Sequence, residues 1–383
     1  MKKTISVAVV GKGSMGRTHS ASVALLKYCY KDLPFEVKLH TLVTRNESTA
    51  EKDADALGFE NFCLDYDECL ADPDIDVVDI CTPNNVHYEM IEKAVKAGKH
   101  ILCEKPLAVS AEQADRIMQL IDGRKECYGM VFNNRHLASV IRAKELVAEG
   151  RLGRILSFRA VYLHSSGTDP MKSAGWKQNR DVCGGGVLFD LGSHAIDLLC
   201  SVLGDNSENR FDTVFGMSQI GFEKRIGMDG KEWETNADEA FYITARLKNG
   251  ACGTIEASKI CVGTNDDLSL EVYGTDGALR FSLMDANFLG FYDKKYTGIP
   301  HGGDRGFTKI ECVNRYDMPE AVFPGMRAPV GWLRGHVHSM YSFYKAVYEG
   351  KTPSPSFADG AYVNKIMQAA YDSDRDKKTV YVG

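Results

Sequence analysis

The fold class is indicated by one stretch near the start of the sequence, Ile5-Ser6-Val7-Ala8-Val9-Val10-Gly11-Lys12-Gly13-Ser14-Met15-Gly16. An apolar run with strand character enters a glycine-rich loop, and a helical pattern follows at once. Gly11 permits a tight turn, Gly13 lets backbone approach a pyrophosphate, and Gly16 allows close packing of helix on strand. The helix N-terminus adds unpaired N–H groups and a positive dipole end. The stretch predicts a dinucleotide-binding loop whose contacts come from Gly11, Gly13, Ser14, Met15 and Gly16.

The strand-then-helix pattern recurs through the first 125 residues, where short apolar runs alternate with longer helical patterns. This alternation is typical of a parallel sheet covered by helices on both faces. The predicted strands are 5–10, 37–43, 77–81, 100–103 and 128–132. The predicted helices are about 16–28, 48–57, 85–97 and 111–123.

After about residue 150 the pattern changes to alternating segments separated by turn pairs such as Asn249-Gly250 and Asp276-Gly277. Such segments indicate antiparallel strands, at 155–163, 213–222, 239–248, 252–259, 268–274 and 277–283. Helices are predicted at 186–203, 335–348 and 358–373. The fold class is therefore α/β, with a Rossmann doubly wound parallel sheet in residues 1–130. Residues 131–383 form a C-terminal α+β domain with a large, mostly antiparallel open sheet.

Composition limits the classes of partner. The chain has 383 residues, a formal net charge of -6 and no long block of like charges, so neither nucleic acid nor a membrane is expected as a partner. No apolar run reaches the roughly 18 residues that span a bilayer. The 11 cysteines are odd in number and scattered, which favours free thiols in a reducing cytoplasm. A small molecule is the expected partner.

The end of the second predicted strand bears on the choice of cofactor. NAD enzymes usually carry an acidic residue there for the ribose 2′-OH, whereas NADP enzymes need positive charge and room for a phosphate. This chain has Leu42-Val43-Thr44-Arg45-Asn46, without an acid. Thr44 and Arg45 are suited to hold a 2′-phosphate, which tilts the interpretation slightly toward NADP. Alternatively Arg45 stacks on the adenine of either cofactor, so both NAD and NADP stay open.

Three further motifs follow in order along the chain. Thr82-Pro83-Asn84-Asn85-Val86-His87 follows the predicted strand 77–81, and His100-Ile101-Leu102-Cys103-Glu104-Lys105-Pro106 carries a charged pair directly after the next one. The third motif runs from Gly184-Gly185-Gly186 to Asp190-Leu191-Gly192-Ser193-His194. Doubly wound folds bind ligands at the carboxyl edge of the sheet, where the first two motifs would lie.

With these motifs in this order, the sequence resembles the Gfo/Idh/MocA family, named for glucose-fructose oxidoreductase, inositol dehydrogenase and a rhizopine-catabolism protein. The resemblance covers nearly the whole chain. The central and C-terminal parts, including residues 324–334, look most like members that oxidise sugars, anhydrosugars or glycosides.

The resemblance implies site residues as well as the two-domain fold. It implies that Lys105, Asp190 and His194 meet beside the nicotinamide, and that the bond before Pro106 is cis. By matching positions, it implies that the cofactor groove is lined by Thr82, Asn84, His87, Glu104 and Lys105. Trp176 would lie near the nicotinamide end. The open sheet often forms an oligomer interface in this family, which implies a homo-oligomer, either a dimer or a tetramer.

These residue types suit the oxidation of a secondary alcohol, which needs a base for the hydroxyl proton and a cofactor for the hydride. An imidazole titrates ordinarily at about 6.5, so His194 is the first choice for the base. Lys105 is suited to stabilise the developing alkoxide, and when desolvated could itself be the base. Asp190, four residues before His194, shares a helix face with it and orients the substrate or the imidazole. A zinc site is not expected, because no third ligand is marked nearby.

The substrate-binding set is predicted from aromatic and hydrogen-bonding residues near the third motif. Tyr162 and Trp176 join Lys105, Asp190 and His194 as contacts for a sugar-like substrate. Two other functions stay open. One is a glycosidase that retains its cofactor and uses transient oxidation to labilise a glycosidic bond, and the other is a non-enzymatic nucleotide-binding regulator.

Overall fold

The structure is a computed structural model that describes residues 2–171, 175–227, 230–296, 298–299, 301–313, 315–316, 321–325 and 327–383. The chain divides into two compact units. The first unit comprises Met1–His136 and Asn314–Ala361, and the second comprises Leu137–Val313 and Tyr362–Gly383.

The strands are numbered along the chain. They are β1 (Lys3–Val10), β2 (Phe35–Val43), β3 (Asn61–Cys63), β4 (Val77–Ile80), β5 (His100–Glu104), β6 (Tyr128–Val131), β7 (Ile155–Leu163), β8 (Phe211–Gln219), β9 (Lys224–Ile226), β10 (Glu232–Glu234), β11 (Ala240–Leu247), β12 (Cys252–Ser258), β13 (Asp267–Gly274), β14 (Gly277–Ser282), β15 (Phe288–Asp293), β16 (Thr308–Glu311) and β17 (Val380–Tyr381).

The α-helices are numbered in the same way. They are α1 (Ser14–Cys29), α2 (Ala50–Leu57), α3 (Tyr66–Ala71), α4 (His87–Lys96), α5 (Ala111–Ile121), α6 (Ala138–Ala148), α7 (Arg180–Cys183), α8 (Ser193–Leu203), α9 (Trp332–Glu349) and α10 (Phe357–Asp376). A π-helical turn, Leu188–Gly192, leads directly into α8.

The first unit is built on a six-stranded sheet in the order β3-β2-β1-β4-β5-β6. Each neighbouring pair is parallel. Strands β4 and β6 are buried along their whole length and are mainly apolar rather than alternating, apart from the buried Asp79 of β4. The carboxyl ends of β1, β4 and β5 meet at one edge, so Gly11, Cys81 and Lys105 follow them there. The predicted Rossmann sheet is confirmed.

The late stretch Asn314–Ala361 belongs to the first unit, whereas the sequence places it in a second domain that starts at residue 131. The physical reason is the packing of α9 on α1. The Tyr30 ring, just after α1, stacks on Tyr341 of α9 with a centroid distance of 4.0 Å, and Arg334 Nη1 donates to Tyr30 Oη at 2.8 Å. The chain thus returns to the nucleotide-binding unit before it ends in the second unit.

The second unit is built on a nine-stranded sheet in the order β16-β15-β14-β13-β7-β12-β11-β8-β17. Among the described strands, β7 and β12 pair in parallel and the other neighbours of this sheet pair antiparallel. Helices α6 and α8 pack on this sheet. The predicted large, mostly antiparallel sheet is confirmed, and β9 and β10 form an additional small ribbon.

One helical stretch, Arg180–Leu203, is long and apolar enough to cross a membrane by length and composition alone. However, 83% of its most apolar part is buried inside the protein. Helix α8 accounts for this burial, because its side chains fill the space beneath β7, β12 and β13. A core helix of a globular unit has these same properties.

Candidate active site

The glycine loop has the conformation that a pyrophosphate requires. Gly11 has φ +103°, and a Cβ there would come within 2.7 Å of the Cys81 carbonyl oxygen. A Cβ on Gly16 would overlap the Gly11 carbonyl oxygen. By contrast, a Cβ on Gly13 would meet no atom within 4 Å, and no side chain caps the N-terminus of α1 there. The loop therefore leaves open space beside free helix N–H groups, which fits an anionic cofactor.

The first turn of α1 is open as well. Ser14 is exposed and Met15 is half-buried, so both predicted contacts lie where a cofactor above Gly13 would reach them. The assignment of these individual residues to the cofactor stays a prediction.

Lys105 follows β5 at the carboxyl edge of the parallel sheet, and its peptide bond to Pro106 is cis, as the family resemblance implies. The backbone N–H of Lys105 donates to Glu104 Oε2 at 3.1 Å. The other carboxylate oxygen, Glu104 Oε1, lies 3.0 Å from His19 Nε2. Glu104 therefore joins the start of the lysine loop to a histidine of α1.

His19 lies at the centre of a buried polar cluster. Its Nδ1 is 2.9 Å from Asp79 Oδ2 and 3.1 Å from Cys81 Sγ. Burial alone would lower the pKa of His19, but the Asp79 charge and the hydrogen bonds raise it well above 6.5. Burial likewise opposes ionisation of Glu104, yet the hydrogen bond and charge of His19, with Lys105 nearby, lower the Glu104 pKa to about 2. An imidazolium between two carboxylates results.

This histidine is absent from the sequence-based site. The signal was available, since His19 stands three residues after Gly16 on a helix face that is otherwise small or apolar. His19, Asp79 and Cys81 also place one ligand atom each within 4.8 Å of one another, a spacing that a metal ion accepts. The hydrogen bonds among them satisfy the polar atoms by themselves.

The residues predicted around the rest of the cofactor groove differ in exposure. Thr82 is half-buried and Asn84 is buried. His87 is completely buried, with Nδ1 2.9 Å from the Pro106 carbonyl oxygen and Nε2 3.1 Å from the Thr82 carbonyl oxygen. The assignment of His87 to the groove stays a prediction; its ring lies between two loops, because both nitrogens face backbone carbonyls.

In the second unit, strand pairing gathers a group of polar side chains at one edge. Because β7 and β12 are parallel, their carboxyl ends lie side by side, with Ser258 opposite Leu163. The antiparallel strand β13 begins at the same edge, with Asp267 opposite Leu163. The neighbours at this edge are therefore Tyr162 in β7, His164 after β7, Lys259 after β12 and Asp266 before β13.

Tyr162, His164 and Asp266 form a hydrogen-bonded triplet at this edge. Tyr162 Oη donates to Asp266 Oδ1 at 2.6 Å, and His164 Nε2 lies 2.9 Å from the same oxygen. The bonds from His164 and Tyr162 lower the pKa of Asp266 against the opposing effect of burial. The buried Tyr162 ring stands edge-on to the His194 ring at a centroid distance of 5.9 Å. Predicted residues Tyr162 and His194 are thus brought together.

Asp190 lies in the π-helical turn that precedes α8, and His194 lies in the first turn of α8. The predicted helix over 186–203 is present and helical from residue 187 on, with a π turn at Leu188–Gly192, and π turns of this kind occur often at functional sites. Lys177 Nζ donates to Asp190 Oδ1 at 2.8 Å, and Lys259 Nζ donates to Asp190 Oδ2 at 2.9 Å. Lys259 and Asp266 are site neighbours that the sequence reasoning missed.

Asp238 anchors the helical stretch that carries Asp190. Its carboxylate accepts the N–H groups of Gly186 at 2.9 Å and Leu188 at 3.0 Å, and also the Tyr371 hydroxyl at 2.5 Å. The approach is so close that a Cβ on Gly186 would overlap the Asp238 backbone. This contact explains one of the consecutive glycines before Asp190.

Trp176 is 39% exposed and lies in a short 3₁₀ turn. The ammonium of Lys177 stands 5.8 Å from the Trp176 ring centroid, so the Asp190 partner and the aromatic side chain are adjacent. An exposed indole beside charged groups is a surface that binds sugars well. The placement of Trp176 near a nicotinamide stays a prediction.

A glycine loop with open space above it and a lysine at the carboxyl edge of a parallel sheet are features of nucleotide-dependent oxidoreductases. The chain belongs to the Gfo/Idh/MocA oxidoreductase family. Residues 5–132 match the family's NAD-binding Rossmann fold, and residues 140–280 match the GFO/IDH/MocA C-terminal domain. The resemblance inferred from the motifs is confirmed.

Similar proteins include sugar and cyclitol dehydrogenases. Levoglucosan dehydrogenase of Pseudarthrobacter phenanthrenivorans is 30% identical over 381 residues, which cover 97% of this chain and 96% of the relative. Myo-inositol 2-dehydrogenase of Thermotoga maritima is 24% identical, covering 98% and 97%. A solved levoglucosan dehydrogenase in complex with NADH and levoglucosan has a TM-score of 0.93 at 30% identity, over 100% of both chains.

Proposed function

We propose that the protein is an NAD-dependent dehydrogenase that oxidises a secondary hydroxyl of an anhydrosugar or a closely similar sugar. The observation that carries this proposal is the position of Lys105 at the carboxyl edge of a sheet whose glycine loop leaves open space at Gly13. When bound, NAD accepts the hydride that leaves the alcohol carbon. The relative of known activity that is 30% identical acts on levoglucosan, which makes an anhydrosugar the first substrate to test.

The chain's own residues divide the remaining work. His194 takes the hydroxyl proton at an imidazole nitrogen, and Lys105 stabilises negative charge on the substrate oxygen. Asp190 orients the substrate through the hydroxyls next to the reacting one. Because Lys177 and Lys259 hold the Asp190 carboxylate from both sides, it enters the reaction already oriented.

The substrate class follows from the side chains around His194. Tyr162, Asp266 and His164 offer a fixed set of hydroxyl, carboxylate and imidazole groups, and Trp176 offers an aromatic face. Sugars present hydroxyls at their edges and C–H groups on their faces, so this mixture of donors, acceptors and an aromatic ring suits them.

We further propose that the chain forms a homo-oligomer in the cytoplasm. Phe215, Met217 and Leu156 are exposed on the nine-stranded sheet, which supports its use as an interface. All eleven cysteines, each within the described part of the chain, are free thiols, which supports a reducing compartment. Light scattering after gel filtration tests the homo-oligomeric state, and the substitution Met217→Arg should reduce the measured mass to that of the protomer.

The activity test is spectroscopic. Purified protein mixed with NAD and levoglucosan should show rising absorbance at 340 nm, and myo-inositol serves as a cyclitol comparison. A protein that cleaves a glycoside without net change at 340 nm would instead be the cofactor-retaining glycosidase. A protein that binds NAD but transforms no sugar or glycoside would be the nucleotide-binding regulator.

A further inference from the structure

A charged cluster lies beside the glycine loop in the first unit. Lys12, the residue between the first two glycines, donates from Nζ to Thr49 Oγ1 and to Asp53 Oδ2. Arg17 of α1 has Nη2 4.0 Å from Asp53 Oδ1, and its Nε donates to the Lys12 carbonyl oxygen at 3.4 Å. The side chains of Lys12 and Asp53 are 23% and 19% exposed, so their ion pair is partly shielded from solvent.

The cluster adjoins the strand end at which dinucleotide-binding folds bind the adenosine ribose. The Gly11 N–H donates to the Val43 carbonyl oxygen at 2.9 Å, which ties the loop to the end of β2. In dinucleotide-binding folds, the end of this strand supplies the acid that binds the ribose 2′-OH, or the positive charge that binds a 2′-phosphate. Lys12 follows Gly11 directly, so its side chain starts next to this point.

The usual discriminating position carries no charge in this protein. Thr44 follows β2, is buried, and accepts the Asn46 N–H at Oγ1 over 3.3 Å. The assignment of Thr44 to a 2′-phosphate stays a prediction, since an oxygen that accepts one N–H still has its O–H to donate. Arg45 is exposed. Discrimination between NAD and NADP then depends on how the charges of Lys12 and Arg45 are balanced.

We propose that Asp53 is a specificity-determining residue, which selects NAD over NADP by neutralising Lys12 and placing a carboxylate beside the ribose 2′ position. The inference rests on the proposed dinucleotide binding and adds the residue that chooses the cofactor. A 2′-phosphate carries nearly two negative charges at neutral pH, so it is repelled by a carboxylate and attracted by an uncompensated ammonium. NAD has only a hydroxyl there and does not meet this repulsion.

The charge state of the cluster agrees with this role. The hydrogen bond from Lys12, with a further one from Thr49, lowers the pKa of Asp53 below its usual value. Asp53 is therefore ionised at neutral pH. Removing its charge would leave three cations near the ribose site, Lys12, Arg17 and Arg45.

Helix α2 offers a matched control. Asp55 lies two residues after Asp53 on the same helix and is exposed, and residues two apart do not face the same side. Asp53→Asn and Asp55→Asn each remove one negative charge from α2 with little change in shape. The two variants change the net charge of the protein by the same amount. A difference between them in cofactor binding therefore reports the contact of Asp53 with Lys12.

The test is calorimetric binding of NAD, NADP, AMP and 2′-phospho-AMP to the full chain and its variants, which does not depend on turnover. We expect the wild type to bind NAD more tightly than NADP. Asp53→Asn should move the ratio of the two dissociation constants toward NADP by at least about tenfold, whereas Asp55→Asn should leave it nearly unchanged. Adding Lys12→Met to Asp53→Asn should reverse most of the gain for both phosphorylated ligands.

The outcomes separate the two proposals. If the wild type binds NAD and the ratio for Asp53→Asn equals that of the wild type or of Asp55→Asn, the role of Asp53 is refuted while the proposed function stands. A wild type that binds NADP more tightly than NAD likewise refutes the role of Asp53 while the proposed function stands. If the wild type binds neither dinucleotide, the proposed function fails and this inference fails with it.

Discussion

Glu104 Oε1 lies 3.0 Å from His19 Nε2, so a carboxylate next to the proposed catalytic lysine is held by a histidine of the phosphate-binding helix. The same carboxylate accepts the Lys105 backbone N–H through its other oxygen. The lysine loop is thereby joined by charged hydrogen bonds to α1, the helix that follows the glycine loop. Charge-assisted bonds of this kind are shorter and stronger than neutral ones.

The first prediction concerns the pH dependence of stability. The pKa of His19 is raised above its ordinary 6.5, so its contribution to the free energy of unfolding is complete below about pH 6.5 and is lost as pH rises through the folded-state pKa. The pKa of Glu104 is lowered from 4.5 to about 2, so its contribution is complete above pH 4.5 and is lost toward pH 2. The excess stability of the wild type over His19→Gln should therefore be largest between these limits.

Urea unfolding from pH 3 to pH 9 measures this difference. His40→Gln is the matched control, because His40 lies on β2 and contacts only its neighbour Thr41 in the bonds described, at 2.8 Å. A stability difference between wild type and His19→Gln that stays constant with pH would contradict the charged state assigned to His19.

The second prediction concerns Lys259, one of the two lysines that contact the Asp190 carboxylate. Lys259→Met removes a cation that is only 11% exposed from a carboxylate that is 14% exposed. We expect kcat/KM for the sugar to fall by about tenfold to a hundredfold, with the dissociation constant for NAD unchanged, because Asp190 loses the partner that orients it. Lys259→Arg should retain more activity than Lys259→Met. Equal activities of Lys259→Met and the exposed control Lys248→Met would argue against the contact.

The third prediction concerns the close approach of Gly186 to Asp238. A Cβ there would overlap the Asp238 backbone, so Gly186→Ala must displace the helix start or the segment before β11 that carries Asp238. We expect the free energy of unfolding to fall by about 1–3 kcal/mol. Gly306→Ala, where a Cβ would meet no atom within 4 Å, should change it by less than about 0.5 kcal/mol. Denaturant titration measures the free energy of unfolding of both variants. Similar decreases in the two would be inconsistent with a close contact at Gly186.

The fourth prediction concerns Lys105 itself. Lys105→Met should lower kcat by about 10²–10⁴-fold, because the developing alkoxide loses its cation. Binding of NAD, followed by calorimetry, should persist, since the pyrophosphate contacts come from the glycine loop. The exposed Lys125→Met variant should behave as the wild type. Normal turnover of Lys105→Met would remove this lysine from the reaction.

The central strands of both sheets could be predicted from sequence because their patterns are local. The apolar run before Gly11 and the alternation of β7 are visible without knowledge of any partner strand. By contrast, β3 and β10 have only three residues each and are mostly exposed, so little distinguishes them from loop. Short strands of this kind are defined by their neighbours rather than by their own residues.

The candidate site divides in the same way. Lys105, Asp190 and His194 stand in recognisable motifs, whereas Lys259 and Asp266 become site neighbours only through the pairing of β12 and β13 with β7. That pairing brings together residues about 100 positions apart in the chain, such as Tyr162 and Asp266. Local sequence patterns do not specify which distant strands pair or in which register they do so.

Hydride transfer is tested most directly by following the substrate's carbon-bound hydrogen. Levoglucosan deuterated at its ring carbons is incubated with NAD and the protein, and the recovered dinucleotide is examined by NMR and mass spectrometry. Hydride transfer predicts reduced NAD that carries one deuterium at the nicotinamide C4, and sugar oxidised at one carbon in equal amount. Dinucleotide recovered unreduced, or reduced without deuterium, would contradict a dehydrogenase acting on this sugar.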